Sequence, residues 1–241
     1  MDPAPASRIL RLAGFALRVS LLLTLTAGVL LSGASYAPSP RTLGQFQAAL
    51  AAGQVDRVAF LLADRGGFST LVWSESPLIW HEIMWSEDGH TFTDSRGLYD
   101  KRRLLADLDR VRPPPSWRQE DTRSQAGSLP LLPGWPFAFR GGDQLIWPAV
   151  AWVTAFLLMT YTTTRLANRF AWFWLCTAGQ LGILPFLVLE PRPLWRGPGE
   201  GKAATPNRMK GGRGCLWSIL LAFVSLWAIY GAGQLVRLLL G

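Results

Sequence analysis

The chain has two histidines, and both fall in one short stretch, "LIWHEIMWSEDGHTF", residues 78–92. His81 is followed by Glu82, so the stretch opens like an H-E-x-x-H motif. In that motif two imidazoles one helical turn apart bind zinc and the glutamate between them acts as base. The spacing fails at Trp85, where the second ligand should stand, and His90 lies nine residues beyond His81. The stretch also alternates as a strand does, which places His81 and Glu82 on opposite faces. His81 and His90 therefore read as polar positions on an aromatic-rich sheet. With Glu75, Glu82, Glu87, Asp88 and Asp94 nearby, they are also the weak candidates for an unfamiliar enzyme site.

Other chemistry is equally incomplete. "RGPGEGKAAT", residues 196–205, has the Gly-Lys of a phosphate-binding loop. It carries Arg196 where that loop needs glycine and Ala203 where it needs a hydroxyl, so it reads as a flexible loop,. The sequence has no G-x-S-x-G, C-x-x-C or G-x-G-x-x-G. No catalytic, metal-binding or cofactor-binding residue is assigned, and no cofactor is expected.

The elements that would position any site are strongly apolar. Of the 241 residues 49% are hydrophobic and 17% charged, against ~25% charged in soluble proteins. Four blocks, residues 19–35, 145–164, 170–189 and 215–236, contain no Asp, Glu, Lys or Arg. An apolar run of about 18 or more residues spans a bilayer when wound as a helix. The expected fold class is a helical membrane protein with four transmembrane helices and a small α+β extracytoplasmic domain between helices 1 and 2. Block one has a second reading. With Arg8, Arg11 and Arg18 ahead of it and Ser32-x-Ala34 at its end, it also has the layout of a secretory signal peptide.

Arg8, Arg11 and Arg18 are expected to anchor the first helix, which puts residues 1–18 in the cytoplasm and residues 36–143 outside. Four straight spans then place Arg165, Arg169 and Arg237 inside. They place the loop of residues 190–214, with Arg192, Arg196, Lys202, Arg208, Lys210 and Arg213, outside. The opposite orientation gains those six basic residues and loses the other six, so the first helix decides. A re-entrant third block would remove the conflict, given protein around it to satisfy its backbone. Within the blocks, Ala178, Gln180 and Gly182 in block three and Ala228 and Ala232 in block four are expected to pack helices together, with Gln180 hydrogen-bonding between them.

Residues 36–112 read as the α+β domain. Thr42 and Gln45 have capping-box spacing, with Leu43, Phe46 and Leu50 on one helical face. Residues 55–62, 68–74 and 78–85 read as strands, residues 86–89 as a hairpin turn and residues 90–94 as a returning strand. Residues 99–111 read as a helix with Leu104, Leu108 and Val111 inward. Residues 113–144, opened by three prolines, read as a tether. The segment "RTLGQFQAALAAGQVDRVAF", residues 41–60, resembles the opening of the extracytoplasmic module of FtsH-type membrane proteases. No ATPase or protease module accompanies it, and the resemblance implies a fold for assembly or partner contact without catalysis.

A net charge of +8 would also suit a nucleic-acid binder,. Residues 36–143 carry 12 basic and 13 acidic residues, however, so the excess belongs to the membrane flanks. The partner of those flanks is the lipid bilayer, and nucleic acid is not expected. The expected function is a non-enzymatic, multi-pass protein of the cell membrane. It presents a partner-binding or sensory domain to another membrane or envelope protein. A transporter or channel component with Gln180 facing the path, and a membrane enzyme near His81 and His90, are the alternatives.

Overall fold

The computed structural model describes residues 5–62, 68–84, 92–120, 146–178, 181–198 and 208–240. It divides into two compact units. The helical unit comprises described residues within 5–29 and 146–229, and the sheet unit those within 30–120 and 230–240.

Four transmembrane helices are not what the apolar blocks form. Among the described residues two helices are long and apolar enough to cross a membrane, α1 (Pro5–Tyr36) and the C-terminal helix (Gly211–Leu240). Of their apolar stretches 28% and 12% are buried. Block two makes a helix of 16 residues (Ile146–Tyr161). Block three breaks into Arg169–Thr177 and Ile183–Leu189. With the short helices Leu43–Ala51 (α2) and Lys101–Arg110 (α3), these four are α4 to α7 in chain order.

The break in block three has local causes. Asn168 caps α5, its side chain accepting the Ala171 N–H at 2.7 Å. Pro185 lies in the first turn of α6, where its missing N–H would have no helical partner in any case,. The start of α6 approaches the end of α5 so closely that a Cβ on Gly182 would sit 2.1 Å from the Leu175 carbonyl oxygen. A straight 20-residue helix would forgo the cap and place Pro185 in a helix interior, at about 3 kcal/mol. The core of this unit joins Leu21, Leu25 and Val29 of α1 to Ala155 and Met159 of α4, Trp172 and Cys176 of α5 and Phe186 of α6.

The sheet unit holds seven short strands: β1 (Ser39–Pro40), β2 (Arg57–Leu62), β3 (Phe68–Ser76), β4 (Ile79–Met84), β5 (Thr93–Asp94), β6 (Gly97–Leu98) and β7 (Ser116–Glu120). Five form a mixed sheet in the order β1-β4-β3-β2-β7. β3 is antiparallel to β2 and β4, while the edge strands β1 and β7 run parallel to β4 and β2. β7 lies in the stretch expected as a tether, and its pairing with β2 from Arg57↔Ser116 to Leu61↔Glu120 makes it part of the sheet. Residues 93–94, expected to return along the third strand, pair instead with β6 as a separate hairpin.

Alternation decides which face packs. Val58, Phe60, Leu71, Trp73 and Ile83 share a core with Phe46 of α2 and Leu104 and Leu108 of α3. Phe46 meets Trp73 edge-on at 5.1 Å and Tyr99 at 6.4 Å, the geometry aromatic quadrupoles favour,. The Thr42–Gln45 capping box is closed in both directions. The β5–β6 hairpin is tied to α3 by Arg103, which pairs with Asp94 and donates to the Gly97 and Leu98 carbonyls at 3.1 and 2.9 Å. That hydrogen bond holds the Asp94 carboxyl down at about 2.

Gly182→Ala should lower the thermal stability of the purified chain by about 1–3 kcal/mol, because the added methyl meets backbone. Gly212→Ala, with nothing within 4 Å of its added Cβ, should leave stability unchanged or raise it. Equal losses would show that the α5–α6 turn is not closed as described.

Candidate functional site

His81 is 3% exposed, on the face that carries Trp73 and Ile83. A polar ring in that position needs partners, and two neighbouring strands supply them. The parallel β1 places Ser39 directly opposite His81, and its hydroxyl lies 2.6 Å from Nδ1. From the end of β3, Glu75 reaches Nε2 at 3.2 Å. An ionised carboxylate can only accept, so Nε2 carries the proton and Nδ1 accepts the Ser39 O–H. Arg41 approaches Nδ1 at 3.5 Å, and the Trp73 ring lies 5.2 Å away.

Serine, histidine and glutamate in a hydrogen-bonded row invite comparison with a hydrolase triad. Two features oppose it. The ring is reversed relative to that arrangement, with Nδ1 rather than Nε2 toward the serine. Ser39 is also 9% exposed, and the cavity beside it is about 10 Å3, room for one water and no substrate. What the row does chemically is fix a two-residue strand that shares few backbone bonds. Burial pushes the His81 pKa down, Glu75 pulls it back up, and Arg41 pushes it down again.

A second cluster lies in the helical unit. Glu190, 0% exposed, ends α6 and turns its carboxylate onto the chain that leads from α4 to α5. It accepts the Arg165 N–H at 2.8 Å on each oxygen and the Leu166 N–H on Oε1. Arg18 of α1, 8% exposed, donates through Nε to the Leu187 carbonyl at 3.1 Å and through Nη2 to the Arg192 carbonyl at 2.9 Å. A guanidinium on the Leu187 carbonyl, in the last turn of α6, suits both an unpaired acceptor and the negative end of the helix dipole,. The segment before α7 closes on the same place. Met209 N–H donates to the Leu166 carbonyl at 3.0 Å and Asn168 N–H to the Met209 carbonyl at 3.1 Å. A Cβ on Gly214 would meet Ala171 Cα at 2.5 Å.

The residues singled out in the sequence are dispersed. His90 and Gln180 lie outside the described residues, as do Glu87 and Asp88. Arg8 is exposed and Arg11 half-buried, whereas Arg18, expected at the headgroups, is turned inward onto carbonyls. Gly182 and Ala178 sit at the α5–α6 turn, where Ala178 N–H closes the last bond of α5 to Trp174. Ala228 is exposed and Ala232 half-buried. The close contact in α7 falls one residue later, where a Cβ on Gly233 would meet the Gly33 carbonyl oxygen at 2.3 Å. Of the carboxylates near His81 in the sequence, Glu75 is the one bonded to its ring. The sequence does not mark Ser39 as its partner, and the one signal of Glu190 is a carboxylate directly abutting an apolar block. Among the described residues no group of three or more His, Cys, Asp or Glu side chains is placed to hold a metal.

Comparison of the chain with protein-family models, with curated proteins and with solved structures gives no match.

Because His81 is harder to protonate when folded, its linkage has a definite sign. The unfolded chain binds the extra proton first, so the stability contribution is complete above about pH 6.5. It falls as pH drops below that value and levels off beneath the lowered folded pKa. His81→Gln should flatten this part of the stability–pH curve, measured as the difference between variant and parent from pH 7.5 to 5. A parallel pair of curves would exclude His81 as the titrating group. Ser39→Ala should cost about 1–3 kcal/mol by stripping a buried acceptor of its donor.

Proposed function

We propose that the chain is a membrane-anchored, non-catalytic protein that holds its sheet unit outside the cytoplasm to bind a partner. One observation carries this reading: residues 165–168, 190–192 and 208–214 gather at one end of the helical unit, fastened by Glu190, Arg18 and the Met209 bonds. That end collects Arg165, Arg169, Arg192, Arg196, Arg208, Lys210 and Arg213. Short basic segments stay on the cytoplasmic side, so this end faces the cytoplasm.

On that assignment α5 and α6 are a re-entrant hairpin, which is tolerated where protein surrounds it. We read α1 and α7, the two helices among the described residues long and apolar enough to cross a membrane, as crossing outward. α4 brings the chain back between them. Its 16 residues rise about 24 Å, short of a ~30 Å core but within what local thinning accommodates,. Trp147 and Tyr161, both exposed, stand near its two ends as interfacial anchors do,. Thr154 and Thr160 return their hydroxyls to the Val150 and Leu157 carbonyls, so neither hydroxyl is left unpaired,. The positive-inside count then has one exception, Arg237.

For the partner, the sheet unit offers a groove of about 540 Å3 between the C-terminal ends of α2 and α3. Arg96, Arg110 and Arg112 line it with Gln47 and Asp107, the last paired with Arg110, beside Leu50, Ala51 and Val111. An acidic segment of another envelope protein with an apolar residue or two suits that mixed lining.

A membrane-impermeant thiol reagent should label Ser95→Cys and Leu239→Cys in intact cells, in a Cys215→Ser background. Lys210→Cys should react only after lysis. Labelling of Lys210→Cys in intact cells would reverse the assignment. A photocrosslinker at Gln47 should give one discrete adduct in cells, lost on Arg96→Glu/Arg110→Glu; no adduct would remove the groove from the reading.

A further inference from the structure

The hold on β1 depends on the protonation of one ring. β1 is two residues long, and the second is Pro40, which has no N–H to give to β4,. Beside the ladder itself, β1 is held by the Arg41 N–H, which donates to the Glu82 carbonyl at 3.0 Å, and by the Ser39 hydroxyl on His81 Nδ1 at 2.6 Å. Arg41 Nε is aimed at the same Nδ1 at 3.5 Å. Both side chains need Nδ1 as an acceptor, which it is only while the ring is neutral with its single proton on Nε2 toward Glu75,. A second proton goes to Nδ1 and turns that acceptor into a donor. The Ser39 hydroxyl must then reverse, and its own proton has the Trp80 carbonyl, 3.4 Å away. Arg41 meets a like charge in a ring that is 3% exposed. Among the described residues Glu75 of β3 offsets part of that charge. Glu82 belongs to the opposite face of β4, and Arg237 of α7 lines the small cavity on the Ser39 side.

We propose that His81 is an acid-operated latch for the edge of the sheet: its second protonation releases β1, with Ser39 and Arg41, from β4, while the β4-β3-β2-β7 ladder stays paired. Release uncovers Nδ1, so water takes the place of two donors that an imidazolium cannot accept. β1 follows α1 after only Ala37 and Pro38, so what loosens is the join between α1 and the sheet. Burial holds the His81 pKa below its ordinary value, with Glu75 opposing and Arg41 reinforcing. The closed edge therefore binds the second proton less readily than the open one, and acid favours opening. The latch holds fully above about pH 6.5 and weakens below it. Such a release needs only the sheet unit; on the membrane reading above, the proton comes from outside the cytoplasm.

The test follows hydrogen exchange of the position-41 amide, the donor to Glu82, in the intact protein in detergent from pH 7.5 to 5, corrected for the intrinsic pH dependence of exchange. An edge that opens with an ordinary imidazole pKa and never protonates when closed would lose about thirty-fold of its protection at pH 5, and a fall of about ten-fold is expected. Amides of β3 paired with β2 should keep their protection. His81→Gln should make position 41 indifferent to pH. Two variants that keep the ring should move the fall in opposite directions. Arg41→Gln removes the like charge and should shrink it, whereas Glu75→Gln removes the offsetting charge and should enlarge it. This pair decides the matter if His81→Gln does not fold. A parent amide indifferent to pH, the same fall in His81→Gln, or an equal loss at β3 would overturn the latch. So would charge variants that shift the fall in one direction.

Discussion

The helical unit depends on one buried carboxylate. Glu190 receives the N–H groups of Arg165 and Leu166, two donors in a turn that no helix or strand supplies with acceptors. Without that carboxylate the turn after α4 would hold orphaned donors in an apolar setting, the costliest place for them. With it, the end of α6 is brought against the start of α5, and two helices of nine and seven residues become a closed hairpin. A buried carboxylate is itself unfavourable unless fully hydrogen-bonded. Its three N–H contacts meet that condition, and Arg18 on the neighbouring carbonyls adds a positive charge in the same locality.

The sheet unit shows the same logic at smaller scale. β1 is two residues long and follows the end of α1 after only Ala37 and Pro38. So short a strand cannot hold itself by backbone bonds. The Ser39–His81–Glu75 row adds side-chain bonds across β1, β4 and β3, and thereby fixes the point at which α1 enters the sheet. The residue that looked most like chemistry in the sequence is, on this geometry, a fastening within the fold.

How much of this could be read beforehand divides along sequence distance. Alternation and capping residues announced α2, α3, β2, β3 and β4, because their signals are local: Thr42 with Gln45, or Val58 and Phe60 two apart. The parallel edges were hidden. β1 is too short for any period to register, and β7 follows three prolines and is exposed along most of its length. Length misled for block three, since 20 apolar residues suffice for a crossing. Asn168 and Pro185 were the contrary signals, and the tied count of basic residues was their consequence. Four straight spans cannot place residues 165–169 and 208–213 on one side, yet Met209 is hydrogen-bonded to both Leu166 and Asn168. Ser39 was illegible as a partner of His81 because pairing residues 42 apart in the chain requires the sheet register.

The two long helices approach each other along small residues. In α7 the buried positions Gly214, Ser218, Ser225 and Gly233 recur at intervals of four, seven and eight, one narrow stripe of small residues on a helix otherwise lined with exposed Trp, Phe and Leu. The serines return their hydroxyls to the Cys215 and Leu221 carbonyls, so the stripe offers no unpaired donor. At its far end Gly233 lies against Gly33 and Ala37, near enough that any side chain there would force the helices apart. That contact lies two residues before Ser39, and Gly233 and Arg237 line the small cavity beside the Ser39 hydroxyl. The end of α7 thus borders the edge strand that His81 holds in the sheet, and residues some two hundred apart in sequence meet beside the same two-residue strand.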